Sequence, residues 1–179
     1  MKTSHRSVLA GGVLTAGLLL AAACASSPAA PEGASARATI EPRSGSTVTG
    51  WAAFTERSAG GVRVEVHIEK APRGTHGLHV HEKGDCSAPD ATSAGGHFNP
   101  GGMPHAGPGE PKRHAGDLGN IQVQADGTGH LELVSDLLTV RPGPNSVVGK
   151  AVIFHAKADD LTSQPTGDAG GRLGCGVAR

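Results

Sequence analysis

Between His97 and Asn120 the chain reads HFNPGGMPHAGPGEPKRHAGDLGN. Glycine and proline interrupt this stretch so often that neither a helix nor a central strand can run through it. A structureless loop of this length is uncommon inside a compact domain and is either functional or disordered. The same stretch nevertheless carries His97, His105 and His114, with Asp117 close behind the last. Any fold that contains it must tie it down with something other than ladder hydrogen bonds, because buried backbone polar groups need partners.

Around that loop the pattern is β from about Ala36 onward. Val62, Val64, Val66 and Ile68 alternate with Arg63, Glu65, His67 and Glu69, the period of two of a half-buried strand. The segment NIQVQADGTGHLELVSD predicts a hairpin, with Ile121 and Val123 on one arm, a turn at Asp126-Gly127, and Leu131 and Leu133 on the other. SVVGKAVIFHAKAD predicts a strand from Val147 to His155, and RATIEP, TVTGWAAF and RLGCGVA predict three more. No stretch shows helical periodicity with caps. There are 28 Gly and 12 Pro but only three Phe, one Trp and no Tyr among 179 residues, so the core must be Val, Leu, Ile and Ala. Many short strands with glycine-rich turns close as an antiparallel sandwich or barrel in one domain. Two segments stand outside that sheet, His81 to Gly119 and Lys157 to Gly171.

The N-terminus reads differently. Lys2 and Arg6 precede an uncharged apolar run from Val8 to Ala23, and Cys24 follows. The run is 16 residues, short of the about 20 that span a membrane, and it fits a secretory signal over residues 1–23. Its ending, LAAAC, is similar to the cleavage box of bacterial lipoproteins, in which the cysteine is lipidated; cleavage without lipid is the alternative. Residues 24–36 then form a tether of small residues and proline, and residues 37–179 the folded domain. Removing 1–23 takes two basic residues and no acid from a balance of 16 and 16, leaving 14 − 16 = −2. Nothing in that charge suggests nucleic acid. Three cysteines are an odd number for an exported chain. If Cys24 carries lipid, Cys86 and Cys175 remain as a pair closing roughly 90 residues, worth at most about 4–5 kcal/mol in chain entropy.

The histidines carry the chemistry. His79 and His81 sit two apart, so on a strand both point to one face, and imidazoles suit a divalent transition metal. His97, His105, His114 and Asp117 offer three imidazoles and a carboxylate, a set able to close a tetrahedral zinc site. Binding would order a loop that cannot order itself, so metal affinity becomes folding free energy. His67 and His130 read as solvent-side residues without a role.

The segments GLHVHEKGDC, SAGGHFNP, RHAGDLGN, HAKADDL and GGRLGCGV, in that order, resemble the signature segments of the copper–zinc superoxide dismutases. The resemblance runs from about Thr47 to Val177 and implies an all-β, eight-stranded antiparallel Greek-key sandwich or barrel with two long functional loops. It implies copper on His79, His81, His97 and His155, and zinc on His97, His105, His114 and Asp117, with His97 bridging the two. It further implies that Asp159 links His79 to His105, that His76 is another supporting residue, and that Cys86 and Cys175 form a disulfide. Arg172 matches the arginine that guides superoxide to copper, which the resemblance implies is reduced by one superoxide and reoxidised by the next, with His97 passing a proton. Gly84-Asp85-Cys86 follows the arrangement of bacterial members, and Gly174 stands where alanine is usual. The rival readings are a non-enzymatic metal-binding lipoprotein and a zinc hydrolase; the presence of Arg172 and a complete zinc set speak against them. The expected setting is the bacterial cell envelope, through a lipid anchor on Cys24. A homodimer and a steering role for Lys83 and Lys157 are left open.

Overall fold

The structure is a computed structural model that describes Met1 and residues 33–179. Residues 2–23 of the leader, Cys24 and the tether up to residue 32 lie outside the described residues. The first strand, β1 (Ser35–Pro42), takes in the last two residues of the range read as tether. β2 (Thr49–Glu56), β3 (Val62–Glu69) and β4 (Gly74–His81) follow, then β5 (Asp117–Val123), β6 (Gly129–Ser135), β7 (Ala151–His155) and β8 (Arg172–Val177). A single 3-10 turn at Thr92–Ala94 is the only helical element among the described residues.

β3 shows why these segments are strands. Val62, Val64, Val66 and Ile68 are buried, while Arg63, Glu65 and His67 are half-buried on the other face and Glu69 is exposed. All pairings between strands are antiparallel, and their order around the closed barrel is β1-β2-β3-β6-β5-β4-β7-β8. β3 neighbours β6 and β4 neighbours β7, the crossovers of a Greek key. Closure through β1 and β8, where Glu41 faces Cys175, removes the free edges that would template aggregation. The expected hairpin forms, with Val123 opposite Gly129 and Gly127 at φ +80° in the turn.

One strand is shorter than its sequence suggests. β7 starts at Ala151, not Val147, because Lys150 N–H donates back to the Val147 carbonyl and Gly149 adopts φ +78°. Val147 is nonetheless fully buried, so its apolar character reports packing, not strand.

Phe54, Phe154, Ile40, Ile68, Leu78 and Ile121 fill the barrel. A second, smaller core of Ala91, Ala94, Ala151, Ile153 and Cys175 lies under the long loop after β4. All five residues of β7 are therefore buried, one face against the barrel interior and the other under this loop. The Cys86–Cys175 disulfide fastens the same loop to β8. At Gly174 an added Cβ would lie 2.7 Å from Ile40 Cγ2, so the glycine fits a neighbour that fills the space an alanine would need.

The loop also makes more ladder-like contacts than its composition suggests. Phe98 N–H donates to the Val80 carbonyl (2.8 Å), Val80 N–H to Gly116 (2.9 Å) and Gly116 N–H to Phe98 (2.9 Å). A Cβ on Gly116 would meet the Val80 carbonyl oxygen at 2.2 Å, so only glycine admits this approach. His97 thereby comes to lie beside His81.

Candidate metal centre

Three irregularities in the sheet place the ligating side chains. The β4–β5 register slips between Gly77 and His79, which brings His79 opposite Asp117. The β7–β8 register slips at His155, which brings it opposite Arg172. The third is the loop approach that sets His97 beside His81. Such bulges re-aim side chains and are concentrated next to active sites.

His79, His81, His97 and His155 are all buried, and each offers one nitrogen within 4.8 Å of the others. Their remaining nitrogens are spoken for. His81 Nδ1–H donates to the Gly95 carbonyl (3.0 Å) and His155 Nδ1–H to the Gly170 carbonyl (3.2 Å). A carbonyl only accepts, so each ring keeps its proton on Nδ1 and turns a bare Nε2 inward; the two Nε2 atoms are 3.4 Å apart. His79 Nε2–H donates to Asp159 Oδ2 at 2.8 Å, leaving Nδ1 bare. His79 Nδ1 and His97 Nε2 are the two buried side-chain polar atoms without a hydrogen-bond partner among the described residues. Buried polar atoms are rarely left so, because an orphaned group keeps its desolvation cost. Two orphaned lone pairs in a four-imidazole cluster fit a soft-to-borderline cation such as copper.

The second set gathers around Asp117 Oδ1, with His97 Nδ1 at 2.9 Å, His105 Nδ1 at 2.9 Å and His114 Nδ1 at 3.2 Å. The backbone N–H groups of Ala106 and His114 donate to Asp117 Oδ2 at 3.1 and 2.9 Å and hold the carboxylate in that orientation. His79 also comes within 4.8 Å of His97, His105 and Asp117. Its Nε2, however, is committed to Asp159, whereas His114 Nδ1 lies 3.4 Å from His97 Nδ1 and completes three nitrogens and one oxygen. That donor set suits zinc.

Asp159 joins the two halves: Oδ2 accepts from His79 and Oδ1 from His105 Nε2 at 2.9 Å. Carboxylates in this position fix tautomer and ring orientation. Three further residues hold this arrangement, and none of them stands out in the sequence. Asn120 clamps the Asp159 backbone from both sides, accepting its N–H and donating to its carbonyl at 2.8 Å each. Gln164 clamps the His105 backbone in the same way at 2.7 and 2.8 Å. Gly167, at φ +65°, has no room for a Cβ, which would fall 1.8 Å from Asp159 Oδ1. No residue-type signal marks these positions, since amide clamps and close approaches depend on which backbone comes near.

Burial holds the imidazoles of His79, His81 and His155 below the ordinary histidine range, and it pushes His97 down to about 4 despite the neighbouring Asp117. Neutral imidazole is the form that ligates a metal. Burial alone would lower His105 as well, but the hydrogen bonds and charges of Asp159 and Asp117 outweigh it and raise this residue. Burial would raise the two carboxylates; hydrogen bonds from His114, His97 and Ala106 hold Asp117 well below its usual range, and those from His79, Leu161 and His105 lower Asp159.

Arg172 lies beside the four-imidazole cluster. It donates to the carbonyls of Ala91 and Gly95 at 2.7 Å each, and Gly95 is the carbonyl that also orients His81. Partial burial lowers its pKa, yet a guanidinium stays charged at any working pH. His76 touches none of the ligating rings. Its Nδ1 lies 2.9 Å from the His155 carbonyl and its ring stacks on Phe154 at 4.8 Å, so it supports the backbone of His155. Lys157 pairs loosely with Asp168 at 3.7 Å on the exposed surface.

The family profile of copper/zinc superoxide dismutase (SODC) matches residues 48–178. The chain belongs to the copper/zinc superoxide dismutase family. A crystal structure of the clock protein EA4 is similar to it, with a TM-score of 0.73 and 40% identity over 80% of this chain and 92% of that one. As a copper/zinc superoxide dismutase the chain is an oxidoreductase that uses copper and zinc and takes superoxide as substrate. The family's all-β barrel is the one observed, and the eight antiparallel strands match the fold expected from the sequence.

Proposed function

We propose that the chain dismutates superoxide in the bacterial cell envelope, with copper held by His79, His81, His97 and His155, and zinc by His97, His105, His114 and Asp117. The observation that carries the assignment is the pair of orphaned buried nitrogens, His79 Nδ1 and His97 Nε2, in a cluster where His81 and His155 also turn a bare Nε2 inward. When bound, copper supplies the one-electron couple that turns superoxide into dioxygen and peroxide, while zinc, which has no redox chemistry, holds the loop.

The protein's own contribution is orientation, field and proton supply. His81, His155 and His79 are locked in one tautomer by Gly95, Gly170 and Asp159. His97 faces the zinc set through Nδ1 and the copper set through Nε2, and Nε2 is the atom that can carry a proton to the departing peroxide. Arg172 commits two of its five donors to loop carbonyls and keeps the rest for the anion. Its charge supplies the local positive field that neither the full chain, with 16 basic and 16 acidic residues, nor a chain cleaved before Cys24, with net charge −2, provides as a whole.

The envelope setting rests on the leader, the LAAAC box and the cysteine count. A Cys86–Cys175 disulfide suits an oxidising compartment, and it leaves Cys24 as the cysteine available for a lipid anchor. Mass analysis of the N-terminal peptide from cells decides the anchor: an acyl mass on Cys24, lost in Cys24→Ser, is expected, and a wild-type peptide without it refutes the anchor. A dismutation assay with metal analysis of the same sample tests the activity and the sites together. One copper and one zinc per chain are expected, with activity following copper; full activity in a sample free of copper would refute the assignment.

A further inference from the structure

A third group of ligating side chains lies on the outside of the barrel. β3 and β6 run side by side with His67 directly opposite His130. Residues two apart on a strand share a face, so Glu65 joins them on the outward side, away from buried Val64, Val66 and Ile68. The rings of His67 and His130 have centroids 4.4 Å apart, and Glu65 Oε1 lies 3.3 Å from His67 Nε2. One ligand atom from each of Glu65, His67 and His130 falls within 4.8 Å of the other two. None of the three takes part in the buried centre.

The group is also held in place. Trp51, opposite His67 on β2, packs against its ring at a tilt of 30° with centroids 4.3 Å apart, and the Arg37 guanidinium lies over Trp51 at 4.1 Å. His67 is thus sandwiched between Trp51 and His130 in a row that crosses three strands. Its side chain keeps 40% of its surface in solvent and that of Glu65 keeps 32%, so an ion has an open path and room for water ligands.

We propose that Glu65, His67 and His130 form a third metal site, for a divalent transition cation of the copper, nickel or zinc kind. Two imidazoles and a carboxylate match the ligand preference of these ions, and the rigid sheet supplies the spacing. With only three protein ligands and open access to water, the site exchanges its ion with solvent, unlike the enclosed centre. It is a place where the protein takes up or releases a metal ion at its surface.

The chain carries its own reporter, because Trp51 is its only tryptophan and touches His67. Cu(II), a paramagnetic quencher, is titrated into full-length protein whose buried copper and zinc sites are already filled. Trp51 emission should be quenched with saturation at one further equivalent, and equilibrium dialysis should show the same extra ion. Replacing an outer partner of a ligand typically costs 10–100-fold in metal affinity, so removing a ligand in His130→Ala should weaken this binding by at least about 10-fold. Glu65→Gln should weaken it in the same direction, and retention of the buried copper and zinc shows that each variant is folded. No quenching in the filled wild-type protein, or equal quenching in wild-type and both variants, overturns the proposal.

Discussion

Among the described residues there are two histidine clusters, one under the loops and one on the barrel wall, and they differ in almost everything except residue type. In the buried set of His79, His81, His97 and His155 each ring has one nitrogen pinned by a carbonyl or carboxylate and one turned inward without a partner or against another bare nitrogen. In the outer cluster His67 and His130 are held by tilted ring contacts and a single glutamate, with solvent at hand. Histidine content therefore says little about what a site does. Burial keeps imidazoles neutral and bare, and fixed acceptors choose which nitrogen is bare.

Removing a residue shared by both metal sets strains this contrast most. His97→Ala should cost the protein both metals and essentially all activity, whereas His114→Ala should lose chiefly zinc and loosen the loop. Metal analysis of the two purified variants checks this, and normal metal content in the His97 variant would end the bridging assignment.

Acid should expose the cost of burial in the metal-free chain. Above about pH 6.5 an ordinary imidazole is neutral in both folded and unfolded states. Below that value the unfolded chain takes up the proton while buried His97 waits until about 4, so stability falls as pH drops through this window. His97 alone contributes a loss of about 3 kcal/mol at the conversion of about 1.4 kcal/mol per unit. His79, His81 and His155 act in the same direction. His105, whose pKa is raised, changes stability only above about 6.5, and the lowered carboxylates add their loss below about 4. Denaturant melts of the metal-free protein between pH 7 and pH 4 would show the trend, and a flat profile would contradict it.

Asp159→Asn keeps the shape but spoils the acceptor that serves His79 and His105. A loss of roughly 10–100-fold in metal affinity is expected, read by competition with a chelator. Loss confined to one metal would mean that the carboxylate serves only one half of the centre.

Arg172→Ala should lower the second-order rate constant about 10-fold, within the range by which local fields speed association, while copper content stays intact. Wild-type activity should also fall as salt screens the field. The two carbonyl bonds add a finer test: Arg172→Lys keeps the charge but not the paired contacts to Ala91 and Gly95. If Lys restores the rate, field dominates; if it does not, loop geometry does.

The smallest effect belongs to the outer cluster. His130→Ala should change folding stability by no more than about 0.5 kcal/mol, as exposed substitutions do. A large loss there would show the outer cluster to be a structural part of the barrel.

Much of this molecule is legible in its sequence. The alternation over Val62 to Ile68, the hairpin around Gly127 and the two segments outside the sheet follow from local rules of period and turn chemistry, although the first segment is shorter than expected, because His81 ends β4 and Asp117, Leu118 and Gly119 begin β5. The residues that gather at the centre were also legible, because imidazoles crowded between glycine and proline have no ordinary structural use and fall in segments that resemble a known family. What only the tertiary structure decided is non-local. Whether Val147 belongs to a strand or to buried turn depends on Gly149 and on the packing around it. Which nitrogen of each histidine is bare depends on carbonyls at Gly95 and Gly170, and the clamps of Asn120 and Gln164 grip backbone far away in the chain. The meeting of Glu65 and His67 with His130 depends on the β3–β6 register. Side-chain type records what a residue can donate or accept; only the closed barrel determines which backbone comes within reach of it.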